Sequence, residues 1–119
     1  MPSLYKDQII DHYRNPRNFK SLENFTHKAT LANTSCGDEL EVFLKVKKEK
    51  VADVGFQGSG CAISIAAMSI LSEKLVGQKI SKVNEKLLNA LLEGLNISSD
   101  SPRIKCAVLG YEIVQKALK

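Results

Sequence analysis

A chain of 119 residues, 44% hydrophobic and 25% charged, has the make-up of one globular domain that can bury a core without staples. Its net charge of +4 rests on lysines densest in "KVKKEK" (45–50), a predicted hairpin tip with no interleaved aromatics, so nucleic acid is not an expected partner. No apolar run is long enough to cross a bilayer, the charged "MPSLYKDQIIDHY" does not read as a secretion signal, and three cysteines are an odd number. Membrane and disulfide-framework classes are set aside, and a cytoplasmic protein is expected.

In chain order, "SLYKDQIIDHYRN" (3–15) predicts an amphipathic helix capped by Ser3, with Leu4, Ile9, Ile10 and Tyr13 on its apolar side and Pro16 as its stop. A polar loop follows, pinned by Phe19, Leu22 and Phe25. "KATLAN" (28–33) predicts a short strand. From Asp38 to Lys47 the alternation is clear, with Leu40, Val42, Leu44 and Val46 on one face and Phe43 interrupting the other. "VADVGFQ" (51–57) returns, with Ala52, Val54 and Phe56 expected inward. The period then changes. A glycine-rich entry leads at Cys61 into a helix of small and apolar residues ending near Gly77. A second helix is expected from Ser81 to about Leu95, striped by Val83, Leu87, Leu88, Leu91 and Leu92. A last one, capped by Ser101 with Pro102 at its first position, runs toward Leu118. The expected fold is α+β, a three-stranded antiparallel sheet with helices packed on one face, in a single domain spanning 1–119.

"NTSCGDEL" (33–40) places a thiol and a carboxylate two residues apart, and extending the strand phase backward points Cys36 and Asp38 toward the core side. A buried carboxylate wants a cation or several donors, although Asp38 also suits a turn. Cys61 opens a helix, where unpaired amides and the dipole favour a thiolate. Cys106 shares a helical stripe with Leu109, Ile113 and Ala117, and Arg103 and Lys105 beside it favour an ionised thiol. Each cysteine alone reads as well as a small buried residue. Together, three thiols and a carboxylate at element ends make a four-coordinate shell suited to zinc or a cluster iron. The spacings of 25 and 45 residues contain no C-x-x-C pair, so spacing leaves ligands and core thiols both open. His12 and His27, in polar surroundings, are expected to be solvated.

The residues around these cysteines resemble the iron–sulfur cluster scaffold family of the IscU, SufU and NifU N-terminal type, over nearly the whole chain. "LYKDQIIDHYRNPRNF" is similar to its N-terminal helix and turn, "SCGDEL" to its first cysteine motif, "GSGCAISIAAMS" to its second and "RIKCAVL" to its third. The resemblance implies Cys36, Asp38, Cys61 and Cys106 as ligands of a labile [2Fe–2S] cluster or zinc. It also implies a cysteine desulfurase as sulfur donor and apo iron–sulfur proteins as recipients. Thr34 stands where many members have proline, Lys105 where IscU-type members have histidine, and "SDSPR" where they carry a chaperone-recognition segment. Arg103 to Cys106, in the R-x-K-C form, resembles SufU-type sulfur acceptors, though the insertion usual in that type before the last cysteine is missing.

On this reading Asp38 is the hard, exchangeable ligand among soft thiolates. Cys36, beside Gly37, is the mobile thiol that accepts sulfur, with Cys106 as its rival. Cys61 and Cys106 are firmer anchors, and Arg103 and Lys105 stabilise anionic sulfur from outside the ligand set. The competing expectations are an inert structural zinc domain acting only through protein contacts, and a metal-free domain with three core cysteines. Whether the working protein is an enzyme, a scaffold or a zinc-dependent sulfur acceptor stays open at this point.

Overall fold

The computed structural model describes residues 2–33 and 37–119, with residues 2–6 described by their backbone alone. Helix α1 (Pro2–Arg14) is followed by strands β1 (His27–Asn33), β2 (Asp38–Lys47) and β3 (Lys50–Ser59). Then come α2 (Ala62–Leu75), a single 3₁₀ turn (Ile80–Lys82), α3 (Glu85–Leu95) and α4 (Ile104–Leu118). The sheet is antiparallel in the order β1-β2-β3, and α2 and α4 lie against it, so the α+β expectation holds. No described helix is long and apolar enough to cross a membrane.

Helix α2 is the centre of the molecule. Ten of its residues are buried, from Ser64 to Leu75, because small and apolar side chains run all the way round it. It contacts α1, α3, α4 and the sheet. Beneath it Leu40, Val42 and Leu44 of β2 and Val54 and Phe56 of β3 are fully buried, as their alternation requires. The opposite face of the sheet is partly covered by the loop after α1. Phe25 packs edge-on to Phe43 at 5.6 Å, and Leu22 lies over Gly55. Phe19 pins the same loop to Phe56 at 5.2 Å.

Four local expectations are corrected. Ala52 is exposed and Val51 is buried, because a register shift at Lys45/Val46 makes Ala52 the extra residue of a bulge and moves Val51 inward. The helix expected from Ser81 is a 3₁₀ turn, and α3 begins only after Asn84, whose side chain accepts from the Lys86 amide at 3.0 Å. Ser101 heads a turn rather than the last helix: its hydroxyl accepts from the Arg103 amide at 3.2 Å, and α4 starts at Ile104. Helix α1 starts at Pro2, ahead of Ser3, as suits a residue with no amide to leave unpaired. Its Ile10 and Tyr13 are each 48% exposed, while Ile9 packs on the core.

The expectation of a solvated His12 is also overturned. It is buried, with Nδ1 2.7 Å from Ser69 Oγ and Nε2 3.6 Å from Glu73. The same Ser69 hydroxyl accepts the Arg17 amide at 2.8 Å, and Asn18 donates to Ser72 at 2.9 Å. The "HYRNPRN" stretch is thus sewn onto α2 through the serines of that helix. His27 is half-buried, its Nδ1 2.7 Å from Thr26 Oγ1.

Burial, and then the Arg17 guanidinium, hold the His12 pKa below its usual 6.5, against the opposing pull of Glu73 and Asp11. The unfolded chain therefore takes this proton more readily than the folded one. Above 6.5 neither state is protonated and His12 costs nothing; as pH falls from 6.5 toward the depressed folded value, stability is lost. Between about pH 7.5 and 5.5, wild-type protein should lose more of its urea-unfolding stability than His12→Gln protein, which keeps a hydrogen-bonding side chain but has no proton to bind. Equal losses would show that His12 does not titrate differently in the two states.

Candidate metal centre

Three elements end at one point. Asp38 is the first residue of β2. Pairing of Glu39 with Ser59 and Leu40 with Gly58 brings the end of β3 beside it, and two residues on the chain turns into α2 at Cys61. Gly58 (φ +137°) is needed there, because a Cβ would run into the Glu39 carbonyl. Cys106 sits in the first turn of α4, which packs along α2. Gly37 enters β2 with φ +71°, a left-handed conformation that suits glycine.

The result is a cluster in which ligand atoms of Asp38, Cys61 and Cys106 all lie within 4.8 Å of one another. Ligands bound to a tetrahedral zinc at 2.0–2.3 Å stand about 3.3–3.8 Å apart, so small side-chain adjustments would close this set around an ion. Asp38 is 1% exposed. Its Oδ1 accepts the Cys61 amide at 2.9 Å, while Oδ2 is buried with no hydrogen-bond partner among the described residues. A buried carboxylate oxygen left this way is costly unless a cation meets it. Two sulfurs beside it supply the soft donors that zinc and cluster iron prefer. The residues present therefore fit a metal.

Of the expected ligands, Asp38, Cys61 and Cys106 are brought together, and Cys36 lies outside the described residues. Cys61 is half-buried and Cys106 is buried. Arg103 and Lys105 are both exposed. Lys105 lines a recess of about 290 Å³ with Asn33, Leu31, Leu109 and Glu112, next to Cys106 in the chain. Gly58 and Gly60, in the glycine-rich entry to Cys61, are expected from the sequence to allow a close approach, and both do; Ser64, which was not singled out, lies against the same Gly60–Cys61 segment. The signal available was a serine three residues after Cys61 in the otherwise apolar first half of the helix.

The family model of the NifU-like N-terminal domain matches residues 4–119. The chain belongs to this family. Among curated relatives of this NifU-like chain, an iron–sulfur cluster assembly scaffold protein IscU of Archaeoglobus fulgidus is 30% identical over 97% of this chain and 74% of the relative. The zinc-dependent sulfurtransferase SufU of Bacillus subtilis is 29% identical over 99% of this chain and 91% of the relative. In three dimensions the chain is similar to a crystal structure assigned as an iron–sulfur cluster assembly scaffold for the SUF system from Fervidobacterium islandicum AW-1. That likeness has a TM-score of 0.83 at 24% identity over the whole of both chains, and it bears on the fold. Relatives named as assembly scaffolds and a sulfurtransferase do not favour the inert structural zinc domain. Among NifU-like relatives, then, both a zinc-dependent protein and cluster scaffolds are represented.

Proposed function

We propose that this protein is an iron–sulfur cluster assembly scaffold that accepts sulfur from a cysteine desulfurase at a metal-binding cysteine site and passes assembled clusters to apo iron–sulfur proteins. The observation that carries the reading is the convergence of Asp38, Cys61 and Cys106 with one buried Asp38 oxygen that has no partner among the described residues. Cys36 completes the set. Only Gly37 separates it from Asp38, a span of at most about 7 Å between α-carbons, so its thiol is tethered within reach of the site.

Asp38, Cys61, Cys106 and Cys36 would hold zinc, which when bound keeps thiols deprotonated and fixes their positions; an iron–sulfur cluster is the cargo built on the same donors. Sulfur uptake asks for a thiolate that can leave the ligand set and return. Cys61 starts a helix wedged in the core and Cys106 is buried in another, so moving either sulfur outward disturbs packing. Cys36 is the assigned acceptor. Its thiolate attacks the terminal sulfur of the donor's persulfide, the donor S–S bond breaks, the donor cysteine departs as thiolate, and Cys36 becomes the persulfide. Arg103 and Lys105, exposed at the entrance to α4, offer positive charge to the anionic sulfur. Together with the R-x-K-C sequence they favour a SufU-like mode of working with the donor.

Protein purified without oxygen should carry about one zinc per chain or the visible absorption of a thiolate-bound cluster. After a single desulfurase turnover, mass spectrometry should find the added sulfur on Cys36, and Cys36→Ser protein should accept none. Sulfur mapped to Cys106, with Cys36→Ser still accepting it, would overturn the Cys36 assignment. Absence of both metal and cluster would overturn the scaffold reading.

A further inference from the structure

Resting on the metal-site reading above, we propose that Gly60 and Ser64 are positioning residues that restrict Asp38 to one free oxygen and fix Cys61 against it. Glycine at position 60 is not required by its backbone, since its φ lies outside the left-handed range of the chain's special glycines. What excludes a side chain is crowding. A Cβ on residue 60 would overlap Ser64 Oγ and would stand 3.0 Å from Asp38 Oδ1 and 3.4 Å from its carboxyl carbon. The carboxylate is thus packed against bare backbone.

Ser64 ties down Cys61. It is 1% exposed, and its hydroxyl donates to the Cys61 carbonyl at 3.0 Å. That carbonyl also accepts the Ile65 amide at 3.1 Å as the first bond of α2. Cys61 itself has no side-chain cap bond, so its sulfur is not spent on the helix end. Its peptide groups are tied fore and aft: the amide to Asp38 Oδ1, the carbonyl to Ser64 and Ile65. With Oδ1 taken by the Cys61 amide, Oδ2 is the Asp38 oxygen left for a metal. A one-oxygen ligand tethered through its second oxygen can let go of a metal and stay in register to rebind.

The test uses the full reduced chain with Zn²⁺ and Co²⁺ alone as probes. Zinc affinity is read by chelator competition, site symmetry by the Co²⁺ visible spectrum, and folding of the metal-free chain by circular dichroism and urea titration. Gly60→Ala protein should bind zinc at least about 10-fold more weakly, as expected for loss of groups that orient ligands, and its Co²⁺ bands should shift. Adding Ser64→Ala removes the overlap with Ser64 Oγ and leaves the tight contact with Asp38, so the double variant should regain part of that affinity. Ser64→Ala alone introduces no overlap; it should fold and shift the Co²⁺ bands. Wild-type affinity and an unchanged Co²⁺ spectrum in Gly60→Ala, or no recovery in the double variant, would overturn the proposal. If Gly60→Ala fails to fold, Ser64→Ala decides: an unaltered Co²⁺ spectrum there overturns it too. Wild-type protein that binds neither ion would instead defeat the metal-site reading itself.

Discussion

Asp38→Asn protein is expected to fold as the wild type does and to bind zinc far more weakly. The amide keeps an oxygen for the Cys61 N–H, now 2.9 Å from Oδ1, and has nearly the same shape. What it removes is the negative charge and one ligand of a buried set, a greater loss than the about 10–100-fold that follows from losing a group outside the ligand shell. The metal-free variant should be no less stable than metal-free wild type, because an isolated buried carboxylate oxygen is itself a burden. Thermal unfolding with and without zinc checks both halves. Wild type should gain stability on adding zinc, by the mass-action effect of a ligand that binds only the folded state, and the Asp38→Asn variant should gain little. A metal-free variant that is simply unfolded would make Asp38 a structural residue and end the ligand argument.

Gly110→Leu protein should lose both stability and the metal site. Helix α4 passes so close to α2 here that a Cβ on residue 110 would overlap Met68 Sδ, and Met68 is completely buried. Forcing a side chain into such a core costs about 1–3 kcal/mol or more, a large share of a typical stability of roughly 5–15 kcal/mol. The damage also reaches the cysteines. Gly110 lies one turn beyond Cys106 on α4, and Cys61 heads α2, so prying the helices apart separates the two sulfurs. Urea unfolding should register the first effect and a weaker zinc affinity the second. Unchanged zinc binding in a destabilised variant would mean that the two helix starts are held together by something other than the Met68–Gly110 contact.

The strands and the buried helix were legible because period-2 and all-apolar patterns leave few alternatives. Leu40, Val42 and Leu44 could face only one way, and α2 is small or apolar over most of its length. What escaped detection was anything decided across the chain. The bulge that turns Ala52 outward depends on register with Lys45 and Val46, which no local pattern encodes. His12 read as polar and solvated because its partner, Ser69, is 57 residues away. The start of α3 was misplaced because Ser81 and Asn84 are both good caps, and only packing chose between them. For the site, a carboxylate and thiols at element ends indicated Asp38, Cys61 and Cys106. Their convergence, and the crowding by Gly60 and Ser64, required the sheet pairing and the α2–α4 contact to be known.

The three converging donors occupy positions 38, 61 and 106 of the chain. A protein emerging from the ribosome presents the first two early and the third only when nearly all of these residues have been made. Domains are synthesised from the N-terminus at about 5–20 residues per second, so for several seconds the growing chain offers a carboxylate and thiols with no complete coordination set. Tight loading must therefore wait until α4 has docked on α2. An ion that needs the Cys106 sulfur would then come late, as a seal on a fold that has already closed rather than as its early template.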